Sequence, residues 1–113
     1  MDMVAKLSSR QKAIVGLTVA TALIHIVLGV MSEGTFMIIF LLNGLGYLAL
    51  LAALYFLPQF AAQRSMVRWA LLGFTAVTFI LYFAFNASNP WNPMGVVDKA
   101  IELILIILLW QEK

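Results

Sequence analysis

The sequence predicts an all-α protein: a membrane-embedded, antiparallel four-helix bundle with both termini on the cytoplasmic side. Three observations predict it. Of 113 residues, 64% are hydrophobic and 11% charged, against roughly 45–50% and about 25% in soluble domains. Too little charge remains to cover a water-facing surface. Four apolar stretches each approach the roughly 20 residues that a helix needs to cross a hydrocarbon core of about 30 Å. Finally, the seven Lys and Arg residues fall almost entirely on one side of those stretches.

The first stretch, 13–31, follows Lys6, Arg10 and Lys12. It is longer than the apolar region of about 7–15 residues in a signal peptide, and the Val30-Met31-Ser32 junction imitates a cleavage site weakly, so a retained helix is expected. The second, 35–57, starts after Ser32-Glu33-Gly34 and stops at Pro58. The third, 67–86, lies beyond Arg64 with Arg68 at its start, and ends before Asn89-Pro90-Trp91-Asn92-Pro93. The fourth, 94–110, runs toward Lys113 and holds Lys99 near its beginning. Short cytoplasmic loops retain Lys and Arg, which places both ends inside. Trp69, Trp110 and Tyr55 then fall near the inner boundary and Trp91 near the outer one, where amphipathic rings anchor. The whole chain, 1–113, reads as one domain in a cell membrane, its short loops making successive helices antiparallel neighbours.

Polar residues inside the stretches carry the functional signal. Thr18, Thr21, His25 and Gly29 share one face of the first helix; Asn43, Gly46 and Tyr47 belong to the second. Thr75, Thr78, Tyr82 and Asn86 mark the third, and Asp98 and Glu102 the fourth. At 3.6 residues per turn each set forms a stripe. Lipid penalises an unsatisfied polar group by several kcal/mol, so the stripes are expected to face inward. His25, Asn43, Tyr82, Asp98 and Glu102 all fall in the outer half, which predicts a polar pocket opening outward, closed below by Leu, Ile and Phe, with Tyr47 counted in the same polar cluster.

Plainer roles compete for these residues. Asp98 suits the first turn of a helix, where a carboxylate caps free N–H groups. Lys99, adjacent to it, is expected to snorkel to the outer interface. Glu102 lies a turn deeper and needs a partner, His25 or Lys99, or a proton. His25 reads first as a hydrogen-bonded interior histidine. Haem or a quinone held through His25 is the weaker alternative, since one histidine offers one axial position, and His25, Asp98 and Glu102 match zinc only in ligand type. No cofactor and no metal is therefore expected. Small residues, Gly46, Ala49 and Ala53 on the second helix, Gly16 and Ala20 on the first, Gly73 and Ala76 on the third, permit close helix approach, within the bundle or against another subunit. Phe74, Phe79, Phe83 and Phe85 read as packing and lipid-facing surface.

The chain has no cysteine, no phosphate loop, no HExxH pair and no nucleophile elbow, and its net charge of +2 is too scattered for nucleic acid. Enzyme activity has no support. His25 with Gly29, Asn43-Gly44-Leu45-Gly46-Tyr47, and Val97-Asp98-Lys99 followed by Glu102 resemble a family of small four-helix integral membrane proteins of archaea and bacteria. That family brings no established activity, so the resemblance implies the fold and no residue role. Small multidrug-resistance transporters differ in carrying a functional carboxylate on the first helix, where this chain has His25. The sequence thus favours a non-catalytic accessory or interaction subunit, in a homo-oligomer or a larger membrane complex, with the lipid bilayer as its surroundings. The alternative is a proton- or cation-linked transporter or channel built on an intramembrane Glu–His pair.

Overall fold

A computed structural model describes residues 7–85 and 93–112, which are helical throughout apart from short connections. Lys6, Asn86, Trp91 and Lys113, to which the sequence reading gave roles, lie outside the described residues. Helix α1 spans Ser9–Val30, α2 Gly34–Leu51, α3 Arg64–Phe85 and α4 Pro93–Gln111. Each helix borders its neighbours in sequence, and α4 closes the ring against α1, giving a bundle of 43 × 25 × 22 Å. No strand occurs among the described residues.

Local chemistry sets the ends. Ser8 caps α1 by accepting from the Gln11 amide at 3.1 Å, while the Gln11 side chain accepts from the Ser8 amide at 3.0 Å. This reciprocal capping box starts the helix four residues before the apolar run, at the edge of the basic leader. Gly34 opens α2 with φ +64°, a left-handed conformation that glycine adopts without a Cβ penalty. The second helix does not stay regular to its end: Ala52–Phe56 form a π-helical turn, closed by the Leu57 amide on the Ala52 carbonyl at 2.8 Å. Pro58 then forces Leu57 into an extended conformation, as the residue before a proline must be. A short 3-10 segment, Pro58–Gln63, turns the chain into α3.

The bundle is inverted relative to a soluble protein. Leu23, Val27, Leu42, Leu45, Val77, Ile80, Ile104 and Ile107 are exposed, whereas Asp98, Lys99, Glu102, Arg68 and His25 are buried. Ile14, Leu51, Leu54, Leu71, Leu105 and Leu109 form an apolar layer near the end that holds the α1 N-terminus and α4 C-terminus. Three helical segments, Ser9–Val30, Gly34–Phe56 and Pro58–Phe85, are long and apolar enough to cross a membrane. The fourth has the length, with Asp98, Lys99 and Glu102 interrupting its apolar run. Close approach of α1 and α2 depends on Gly44, where a Cβ would lie 2.6 Å from Ile26 Cγ1 and 2.8 Å from the Ala22 carbonyl oxygen. Gly46 packs inside the bundle against Phe74, while Gly16 and Gly73 face open space.

Candidate functional site

Beyond the apolar layer, all four helices deliver polar side chains to the interior. The hub is Thr21, whose hydroxyl lies 2.6 Å from Asp98 Oδ1, 3.1 Å from Glu102 Oε2 and 3.4 Å from His25 Nδ1. A hydroxyl has one proton to give, so it serves the two carboxylates in turn. Tyr47 reaches across the bundle from α2 and donates to Glu102 Oε2 at 2.8 Å. Its ring is held edge-on by Phe74 at 4.8 Å and lies 5.8 Å from the His25 ring. Glu102 is fully buried, which only this many donors make tolerable.

His25 Nδ1 sits 2.7 Å from the Thr21 carbonyl oxygen, an acceptor only, so the Nδ1 proton points there. Nε2 is left facing Asp98 Oδ2 at 3.7 Å and Glu102 Oε2 at 3.9 Å. The interior, hydrogen-bonded histidine expected from the sequence is what the bundle contains.

Two expectations for α4 are corrected. The helix starts at Pro93, so Asp98 lies in its second turn and caps nothing; no acidic residue occupies the first turn. Its carboxylate is committed to Thr21 and Lys99 instead. Nor does Lys99 snorkel outward. It is buried, with its ammonium on Glu102 Oε1, 3.3 Å from Asp98 Oδ2 and 4.9 Å from the centre of the Tyr82 ring. Adjacent helical residues point about 100° apart, but a lysine stem is long enough to bend back to both acids. Desolvated carboxylates supplied a stronger reason to turn inward than the interface did to turn out.

A cavity of about 360 Å³ opens beside this network, at the end holding the α1–α2 connection. Its floor contains His25, Asn43, Thr78, Asp98 and Lys99; Leu28, Phe36, Phe40, Leu81, Tyr82 and Phe85 make its walls. Asn43 donates to Thr78 Oγ1 at 2.9 Å, tying α2 to α3. The six residues singled out from the sequence therefore meet here: His25, Tyr47, Asp98 and Glu102 in the network, Asn43 and Tyr82 on the cavity. Thr21 and Lys99 belong to the site and were not counted in it. The signal for Thr21 was its place one turn before His25.

Ligating atoms of His25, Asp98 and Glu102 lie within 4.8 Å of one another. Even so, Lys99 already brings a cation to both carboxylates, and a divalent ion there would meet its ammonium at close range. The cluster holds two carboxylates, one ammonium and a histidine, a formal charge of −1 with the imidazole neutral. Room for one further positive charge lies where Nε2 faces the two acids. Towards the other end lies the apolar layer of Ile14, Leu51, Leu54, Leu71, Leu105 and Leu109. Comparisons with protein families, with curated proteins and with solved structures return no match.

Proposed function

We propose that this chain is a four-span cell-membrane protein, both termini cytoplasmic, that exchanges protons for monovalent cations with apolar bodies. The inverted distribution of Leu and Ile against buried charge supports the membrane reading, as does the 43 Å length, close to the roughly 40–45 Å of a bilayer with its headgroups. Arg10, Lys12, Arg64 and Arg68 cluster at one end, which supports the stated orientation.

One observation carries the exchange reading: a buried cluster with a single unbalanced negative charge lends His25, Asp98 and Lys99 to the floor of an aromatic-walled cavity open at one end, with Glu102 paired behind them. A proton and a monocation each neutralise that charge, so one displaces the other. Aromatic faces attract cations by about 0.5–2 kcal/mol each, and Phe36, Phe40, Tyr82 and Phe85 supply them. The apolar layer beneath supports a pocket open at one end only, as in a carrier in one of its states rather than an open channel.

The test uses proteoliposomes loaded with a pH-sensitive dye. External benzyltrimethylammonium drives protons out through the parent protein, and Glu102→Gln and His25→Ala abolish the movement. Flux unchanged in both variants defeats the proposal. An accessory subunit is the second reading, supported by Gly16 and Gly73, where an added Cβ would meet no neighbouring atom within 4 Å, so that α1 and α3 are open there to another helix. Crosslinking in native membranes that captures a second copy or a constant partner through those two faces supports it.

A further inference from the structure

The opposite end of the bundle carries a second polar site that the network does not use. Arg68 is 7% exposed, yet among the described residues no carboxylate pairs with it. One of its five N–H donors goes to the Leu109 carbonyl at 2.8 Å, and the guanidinium lies 4.6 Å from the centre of the Trp69 ring. One turn earlier, Arg64 donates to the Leu54 carbonyl at 2.9 Å, a group whose i+4 residue, Pro58, has no N–H to offer it. Both arginines line a cavity of about 200 Å³ with Tyr55 and Ser65. Glu112 lines it too, but Arg10 holds that carboxylate at 3.2 Å and Gln11 at 2.9 Å. Three arginines against one glutamate leave a charge of +2 around the cavity.

We infer that this cavity is a site for a phosphate group, contributed by the headgroup of a membrane phospholipid. A buried guanidinium without an anion is costly, and a phosphate accepts from two guanidinium forks at once, in the geometry that favours arginine over lysine. The hydroxyls of Ser65 and Tyr55 add neutral donors. Trp69 and Trp110, both exposed and 5.4 Å apart edge to face, mark the level where aromatic rings meet lipid headgroups. The inference rests on the membrane placement and is independent of proton–cation exchange.

Native mass spectrometry of the full chain, released from micelles containing phosphatidylglycerol, tests it. Arg68→Ala and Arg64→Ala each reduce the retained lipid at least tenfold. Lys12→Ala, which removes an exposed cation at the same end, leaves retention unchanged. Should Arg68→Ala not fold, Arg68→Lys keeps the charge without the fork and retains severalfold less lipid. A second arm adds inorganic phosphate: retention that survives it assigns the site to the headgroup, whereas displacement at millimolar concentration keeps the phosphate site and makes its source the free anion. Equal retention by the parent, Arg64→Ala and Arg68→Lys overturns the inference.

Discussion

Removing the lysine from the buried network should cost more stability than removing the glutamate. Lys99→Met leaves Asp98 and Glu102 without the ammonium that both share, while each remains within 3.1 Å of the same Thr21 hydroxyl. Two like charges within 4.8 Å of each other repel by about 3–4 kcal/mol at an effective dielectric of about 20, in line with the roughly 3–5 kcal/mol lost when a buried pair loses one partner. Glu102→Gln instead leaves Lys99 paired with Asp98 at 3.3 Å and keeps an oxygen for Tyr47. Its cost is the difference between a charged and a neutral hydrogen bond, about 1 kcal/mol. Adding Glu102→Gln to Lys99→Met therefore restores about 2–3 kcal/mol, the repulsion removed less that cost. Equilibrium unfolding by titration of SDS into mild-detergent micelles measures all four proteins. A Lys99→Met protein no less stable than Glu102→Gln, or a double variant less stable than Lys99→Met, refutes the charge assignment.

Other outcomes follow from the same contacts. Gly44→Ala pushes a methyl into Ile26 and the Ala22 carbonyl and costs about 1–3 kcal/mol; Gly73→Ala meets nothing within 4 Å and gains up to about 1 kcal/mol. Thermal unfolding of the two variants shows opposite shifts. Tyr47→Phe keeps the ring packed on Phe74 but strips a donor from Glu102, a loss of about 1–2 kcal/mol in a membrane bundle, read in the SDS titration. Because the chain has no cysteine, Thr78→Cys reports pocket access alone. A membrane-impermeant thiol reagent labels it only from the side opposite the termini, and labels Ser65→Cys only from their side.

The four helices were legible because long apolar runs bounded by prolines, glycines and charges are visible by composition alone. The inward stripes were legible because polar side chains at helical spacing share one face, and an apolar helix has few other groups to pair them with. Helix ends were less so. Ser8 and Gln11 extend α1 into a basic segment by capping, and Arg64 starts α3 before the apolar run begins. The π-helical turn at Ala52–Phe56 has no signature in a run of small and aromatic residues. Lys99 pairs with Glu102, one of the partners expected for that acid, and was misplaced at the interface because the added pull of Asp98 was not weighed. Arg68 was counted as a charge on the inner side, and that count cannot show a guanidinium turned in beneath Leu109. Thr21 looked like one hydroxyl among several until the bundle set it between both carboxylates.

Calorimetry of benzyltrimethylammonium binding to the purified protein addresses the exchange of one proton for one cation most directly. The ligand has no proton of its own to lose, so titrations in two buffers of different ionisation enthalpy count the protons that the protein releases. The account predicts about one proton per cation bound, with binding that weakens as the pH falls and disappears in Glu102→Gln. Heats that are the same in both buffers, or binding that survives Glu102→Gln unchanged, contradict it.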